Sequence, residues 1–140
     1  MVIKKLLGHR PLLALLILYS ILITWASLAR FIIPFKVGVQ GGDKIGHFIA
    51  YFVFTMIWFL FFFFSEKRNE SFRQSLIKSS LICFFYGGLM ELLQMLLTNY
   101  RSPDWYDIIA NTSGIIFVVV LLKVFESKLI ILKKKKRLVT

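Results

Sequence analysis

The segment Arg101–Gly114, RSPDWYDIIANTSG, places charged and amide side chains at the start of a long apolar run. If it is helical from about Pro103, three- and four-residue spacing aligns four residues on one face: Asp104, Asp107, Asn111 and Gly114. Ser102 suits an N-cap and Pro103 suits the first helical position. Helix capping accounts for Asp104. Helix capping does not account for Asn111, a polar residue within an otherwise apolar part of the predicted helix.

The composition is typical of a polytopic membrane protein. The chain has 140 residues, 58% of them hydrophobic and 15 of them phenylalanine, with apolar runs of about twenty residues. The single cysteine, Cys83, lies inside an apolar run, which excludes an internal disulfide and makes a zinc-cysteine cluster unexpected. Neither Gly41-Gly42 nor Gly87-Gly88 has the strand–turn–helix context of a phosphate-binding loop.

The apolar runs predict one all-α domain with four transmembrane helices. The four predicted spans cover residues 12–33, 45–64, 76–97 and 105–125. The transmembrane domain therefore takes in residues 1–127, and residues 128–140 form a basic tail. The basic start and Ser27-Leu28-Ala29 resemble a cleavable signal peptide. The apolar run continues through Ile33, however, which favours a retained first span.

The distribution of basic residues predicts that both termini are cytoplasmic. With the N-terminus inside, 14 of the 18 lysines and arginines lie in cytoplasmic segments. The outer segments hold the other four: Arg30, Lys36, Lys44 and Arg101. We interpret the basic tail as a topology signal and an anchor to anionic lipid, and we expect no nucleic-acid partner.

This topology brings polar residues of three spans to the outer side of the membrane. The predicted site residues are Asp43, Lys44, His47, Tyr51, Glu91, Gln94, Arg101, Asp104, Asp107 and Asn111. At 1.5 Å rise per residue, Glu91 lies roughly 9 Å below Leu97, within the hydrocarbon. An intramembrane carboxylate costs about 2.5–3.5 kcal/mol, so it should face other polar groups or water. We therefore expect the ten residues to form one site, with Arg101 reaching towards Glu91 or Asp107.

Three kinds of chemistry suit this layer. Glu91 and Asp107 suit an acid/base pair, and His47 is a third candidate catalytic group. Lys44 and Arg101 suit a lipid phosphate. A metal suits an oxygen-rich set with one imidazole: Asp43, His47, Glu91 and Asp107. The alternative is a structural network that locks the helices together. No cofactor motif is present, so we predict no resident cofactor or metal, and the sequence leaves open whether a reaction is catalysed.

Three segments together resemble the signature of the VanZ-like family of small bacterial membrane proteins: DKIGHFIAY at 43–51, ELLQ at 91–94 and RSPDWYDIIANTSG at 101–114. The resemblance implies a multi-pass protein of the bacterial cytoplasmic membrane that acts at the cell envelope. The founding member is associated with resistance to the glycopeptide teicoplanin. The implied partners are the lipid bilayer and a lipid-linked envelope precursor or lipoglycopeptide. The alternatives are a membrane-embedded enzyme acting on a lipid-linked substrate and a structural or assembly protein.

Overall fold

The computed structural model describes residues 6–28, 42–68, 70–97 and 104–138, and within these ranges the chain is all-helical. Its helices are α1 (His9–Leu28), α2 (Gly42–Phe64), α3 (Phe72–Leu97), α4 (Trp105–Val124) and α5 (Glu126–Arg137). The first four are long and apolar enough to cross a membrane. The predicted all-α fold with four membrane-spanning helices is confirmed.

Large apolar side chains cover the outer surface of the bundle. Leu18 is 66% exposed, Phe85 is 68% exposed and Ile116 is 57% exposed, whereas Phe54 and Phe59 in the centre are fully buried. A soluble protein rarely exposes continuous apolar surface on this scale, but lipid tails are as apolar as these side chains. The chain is a multi-pass membrane protein with an aromatic core.

Helix α2 lies at the centre of the bundle and contacts α1, α3 and α4. It approaches α4 closely at Gly114, which is buried. A Cβ atom added to Gly114 would lie 2.4 Å from the carbonyl oxygen of Phe48 and 3.0 Å from the backbone nitrogen of Phe52. Glycine thus lets the two backbones pack directly against each other, as small residues do between membrane helices.

Three helix starts differ from the sequence prediction. Helix α3 begins at Phe72, before residue 76, because Ser71 and Gln74 form a capping box: the Gln74 amide donates to Ser71 Oγ (3.2 Å) and the Ser71 amide donates to Gln74 Oε1 (3.1 Å). Helix α2 begins at Gly42, before residue 45. Helix α1 begins at His9, before residue 12, whereas helix α4 begins at Trp105, where the fourth span was predicted to begin.

The N-cap of α4 is Asp104 instead of Ser102. Asp104 has extended backbone angles (φ −119°, ψ 112°), and its Oδ1 accepts a hydrogen bond from the Tyr106 amide at 2.9 Å. Aspartate is as good an N-cap as serine, because its carboxylate also complements the helix dipole. Residues 29–33, which the sequence assigned to the first span, lie outside the described ranges.

The basic residues of α5 bind the end of the bundle at which α2 finishes. Lys136 is 8% exposed, and its Nζ donates to the carbonyl oxygens of Leu7 (2.7 Å) and Phe64 (2.9 Å). Its Nζ also lies 3.0 Å from Glu66 Oε1. The start of α1, the end of α2 and the end of α5 therefore meet at one end of the bundle, which we call the α5 end.

Lys133 makes a second contact between α5 and the bundle. Its Nζ donates to the Glu70 carbonyl oxygen at 2.5 Å and lies 4.3 Å from the centre of the Phe63 ring. Burial, together with the charge of nearby Arg137, lowers the pKa of Lys133. Helix α5 crosses the boundary at residue 127 that the sequence suggested, and the division into domain and tail stays a prediction.

Replacing Lys136 with methionine should destabilise the bundle by about 1–3 kcal/mol, because two buried carbonyl oxygens lose a charged donor. Lys135→Met is the matched control, since Lys135 is exposed on the same helix. The measurement is the free energy of unfolding in detergent micelles. Equal stabilities of the two variants would show that the Lys136 contacts contribute nothing.

Candidate functional site

A group of polar side chains from α2 and α4 lies at the end of the bundle opposite the α5 end. We call it the polar cluster, and it consists of Asp43, Lys44, His47, Asp104, Asp107 and Asn111. Lys44 is its main cation among the described residues. Its Nζ forms short ion pairs with Asp104 Oδ2 and Asp107 Oδ1, and lies 3.7 Å from Asp43 Oδ2. One lysine of α2 thus forms ion pairs with Asp104, the N-cap of α4, and with Asp107 in the first turn of α4.

His47 makes the second connection between the two helices. Its Nδ1 lies 3.1 Å from Asn111 Oδ1. An amide oxygen only accepts, so Nδ1 is the protonated nitrogen of this pair. Its Nε2 lies 3.5 Å from Asp107 Oδ2 and 3.8 Å from Asp43 Oδ1. His47 therefore places one nitrogen against the amide and the other between two carboxylates.

Exposure falls steeply with depth in the polar cluster. The side chain of Asp43 is 59% exposed and that of Asp104 is 39% exposed, whereas that of Asp107 is only 3% exposed. A buried carboxylate is costly unless ion pairs and hydrogen bonds compensate its lost hydration. Lys44 and His47 contribute to that compensation for Asp107, so the site is exposed at Asp43 and Asp104 and buried at Asp107.

The predicted residues of α3, Glu91 and Gln94, are also buried. Glu91 is 5% exposed and Gln94 is 3% exposed, so neither faces lipid. Gln94 Nε2 donates to the carbonyl oxygen of Ser27 at 2.8 Å, which ties α3 to α1. Phe84 and Gly88, on the same helix, are exposed and do not share this buried face.

Tyr51 follows His47 by one turn of α2 and is 2% exposed. A Cβ at Gly87 would lie 3.2 Å from Tyr51 Cε1 and 3.5 Å from Asn111 Nδ2, so these two side chains meet at the same point on α3. In the part of the chain that the structure describes, the Tyr51 hydroxyl has no hydrogen-bond partner.

Arg101, with its predicted contact to Glu91 or Asp107, lies outside the described residues. Among those that are described, three offer ligand atoms for a metal within 4.8 Å of one another: Asp43, His47 and Asp107. Glu91, which the sequence included in this set, is not among them.

Several polar contacts of α1 could not be recognised from the sequence. The Tyr19 hydroxyl donates to the carbonyl oxygen of Ala50 at 3.0 Å, and the Tyr86 hydroxyl donates to that of Ser20 at 3.3 Å while contacting the Thr24 hydroxyl. Their acceptors are mostly backbone oxygens, which every residue carries. No particular residue type in the sequence therefore indicates these contacts.

An apolar groove of about 430 Å³ runs between α3 and α4 and reaches the polar cluster. Gly87 and Gly88 form part of its lining on α3, and Trp105, Ile108 and Asn111 do so on α4. Asn111 also contacts His47. The groove thus places an apolar space beside Asn111, a polar side chain of the site.

Comparison with known proteins identifies the family. The sequence is 36% identical over 73 residues to Uncharacterized protein C11E3.10 of Schizosaccharomyces pombe, which covers 51% of this chain. The chain spans only 41% of the length of that relative. No solved structure matches the chain. The VanZ/LLP1 family matches residues 4–126, which is nearly the whole sequence and includes every residue of the polar cluster, so the chain belongs to the VanZ/LLP1 family.

Proposed function

We propose that the protein acts at the outer face of a bacterial cytoplasmic membrane and lowers sensitivity to teicoplanin-type glycopeptides. The observation that carries the proposal is the polar cluster, in which the buried Asp107 contacts both Lys44 and His47 at one end of the bundle. In this proposal the cluster binds the polar part of a lipid-linked envelope component or of the drug itself. The family match is consistent with such a role.

The proposed orientation rests on where the basic residues lie. Arg68, Lys133 and Lys136 lie at the α5 end, together with most other basic residues of the described ranges. Cytoplasmic segments carry the excess of lysine and arginine in membrane proteins. The α5 end, where α1 begins and α5 finishes, is therefore cytoplasmic in this proposal. The polar cluster, at the opposite end, then opens towards the outer leaflet.

The groove between α3 and α4 favours a ligand with an apolar tail. A lipid-linked molecule in the outer leaflet presents its tail at the depth of Ile108 and Ile115, which line the groove. Its polar head would then lie near Asn111 and His47. Binding of this kind explains why a lipid-carrying glycopeptide should be affected more strongly than one without a lipid.

Expression of the protein in a susceptible bacterial host should raise the inhibitory concentration of teicoplanin at least fourfold and that of vancomycin by less. The physical reason is that the lipid tail holds teicoplanin at the leaflet where the cluster opens. His47→Gln should abolish the shift, whereas Lys135→Met, at the other end of the bundle, should preserve it. Immunoblots of membranes must show equal amounts of each protein. Unchanged susceptibility to both drugs with the unaltered protein would contradict the proposal.

A second candidate is an enzyme that acts on a lipid-linked envelope substrate. It is favoured by the 3.5 Å approach of His47 Nε2 to Asp107 Oδ2, since a histidine beside a carboxylate is a common acid–base pair. In this candidate His47 and Asp107, instead of Glu91 and Asp107, form the reacting pair. Changes in extracted lipid-linked precursors on expression, absent with His47→Gln, would favour the enzyme over a binding role. A structural or assembly role predicts that every loss of function follows a loss of folded protein.

A further inference from the structure

We propose that the groove between α3 and α4 binds an acyl chain of a membrane phospholipid, and that Tyr51 and Asn111 recognise the ester carbonyl at the head of that chain. The inference deepens the proposed function, on which it rests, by naming the chemical group that is recognised. Its evidence is a pair of unused hydrogen-bond donors that meet at Gly87, in the wall of the groove.

Tyr51 and Asn111 each carry a donor that no described residue accepts. Tyr51 is 2% exposed, and its hydroxyl has no hydrogen-bond partner within the described ranges. Asn111 is 4% exposed, and in those ranges its side chain makes a single hydrogen bond, from His47 to Oδ1, which leaves the Nδ2 amide group without an acceptor. Inside a membrane bundle there is little water to replace a missing partner, so each donor costs free energy that a bound acceptor recovers.

Gly87 shows where the two donors lie. A Cβ atom at this position would be 3.4 Å from Tyr51 Cζ, the carbon that carries the hydroxyl, and 3.5 Å from Asn111 Nδ2. Gly87 and Asn111 both line the groove. The two donors therefore lie beside one point in the wall of the groove, and glycine keeps a side chain from covering them.

The shape and lining of the groove suit an acyl chain. Its volume is about 430 Å³, within the range of pockets that bind small molecules. The groove extends along α4 from Trp105 to Ile115, which is roughly 15 Å at 1.5 Å per residue. On α3 it is lined by Phe85 and Leu92, which are exposed on the surface of the bundle, so a chain enters it sideways from the bilayer.

The chemistry of the lining favours a neutral carbonyl over a phosphate. None of the described residues that line the groove is charged, so a phosphate inside it would have no cation beside it. Two donors require an acceptor, and a carbonyl oxygen has two lone pairs and accepts from both. A hydroxyl would add a donor that needs a partner of its own. The ester that joins an acyl chain to glycerol supplies such a carbonyl.

The depth of the two donors also suits an ester group. The exposed side chains of Asp43 and Asp104 lie at the membrane surface in the proposed arrangement. Asn111 lies roughly 9 Å along α4 from its start at Trp105. The headgroup layer is about 5–7 Å thick on each side of the hydrocarbon. The donors are therefore close to the boundary between headgroups and hydrocarbon, where phospholipids carry their ester carbonyls.

The test offers the protein two lipids that differ only in this carbonyl. The full chain, purified in dodecyl maltoside, is mixed with equal amounts of ester-linked and ether-linked phosphatidylcholine of the same chain length, and the lipid that stays bound is identified by native mass spectrometry. We expect the unaltered protein to retain the ester lipid roughly fivefold over the ether lipid, the effect of about one net hydrogen bond. Tyr51→Phe and Asn111→Leu should each lower this ratio to about two or less.

Two substitutions elsewhere in the groove are the matched controls. Thr112 also lines the groove, but its hydroxyl donates to the Ile108 carbonyl oxygen at 2.8 Å, so Thr112→Val should keep the ratio of the unaltered protein. Gly87→Ala should lower the ratio, because the added methyl group covers the two donors. Gly88→Ala should keep it, since nothing lies within 4 Å of its added Cβ.

Tyr51→Phe keeps the test decisive, because it breaks no hydrogen bond to a described residue and should fold as the unaltered protein does. Equal retention of the two lipids by the unaltered protein, or an unchanged ratio in Tyr51→Phe, would overturn the inference. No glycopeptide takes part in this experiment. Equal retention would therefore count against the carbonyl site alone, whereas unchanged susceptibility to both drugs would count against the proposed function.

Discussion

Replacing Gly114 with alanine is expected to destabilise the four-helix bundle by about 1–3 kcal/mol, the usual cost of forcing an extra group into a packed interface. The added Cβ would lie 2.4 Å from the Phe48 carbonyl oxygen and 3.0 Å from the Phe52 nitrogen. Both are backbone atoms of α2, so no side-chain rotation relieves the overlap and α4 must move away. Asn111 precedes Gly114 by one turn, so its 3.1 Å contact with His47 should lengthen as well.

Gly88→Ala is the matched control for this substitution. Gly88 also lies inside a membrane-spanning helix, but nothing lies within 4 Å of an added Cβ. Gly87→Ala should fall between the two, since its Cβ would meet only side-chain atoms, those of the Tyr51 ring at 3.2 Å and Asn111 Nδ2 at 3.5 Å. The measurement is the free energy of unfolding in mixed micelles. If Gly114→Ala and Gly88→Ala prove equally stable, α2 and α4 do not pack as closely as described.

Replacing Asp107 with asparagine should cost about 1–3 kcal/mol of stability, because Lys44 and His47 lose a buried charged acceptor. The substitution keeps the size of the side chain and removes only its charge. The cost should stay below that of breaking a fully buried pair, about 3–5 kcal/mol, because Lys44 is 32% exposed and keeps Asp104. We expect this to be the largest loss from any single charge removal in the polar cluster.

Much of the fold followed from simple features of the sequence. Four long apolar runs predicted the membrane helices, and the unusual polar residues of 43–51 and 104–111 indicated where α2 and α4 meet. The helical spacing of Asp107 and Asn111 correctly placed both on one buried face. These predictions succeed because a charge inside an apolar helix is so costly that it must face a partner.

Other features could not be predicted, since they depend on which atoms meet across helices. No spacing rule shows that Gln94 donates a hydrogen bond to the carbonyl oxygen of Ser27. Nor does one show that Lys136 donates a hydrogen bond to the carbonyl oxygen of Phe64, the last residue of α2. The start of α3 was missed because its capping residue, Ser71, lies in a charged stretch that resembles a loop. The sequence suggested four candidate metal ligands. Only the positions of the carboxylate oxygens show that three of them, Asp43, His47 and Asp107, lie close together.

The central claim is that polar residues of α2 and α4 form one connected site, and a double-mutant cycle on Lys44 and Asp107 tests it most directly. Unfolding free energies are measured for Lys44→Gln, Asp107→Asn, the double variant and the unaltered protein. We predict a coupling free energy of about 1–3 kcal/mol, the range seen for residues in one ion-pair network. The control cycle uses Lys123 and Glu126, an exposed pair 3.2 Å apart, which should couple by only about 0.3–0.5 kcal/mol. Additive effects of Lys44→Gln and Asp107→Asn, within about 0.3 kcal/mol, would contradict the single connected site.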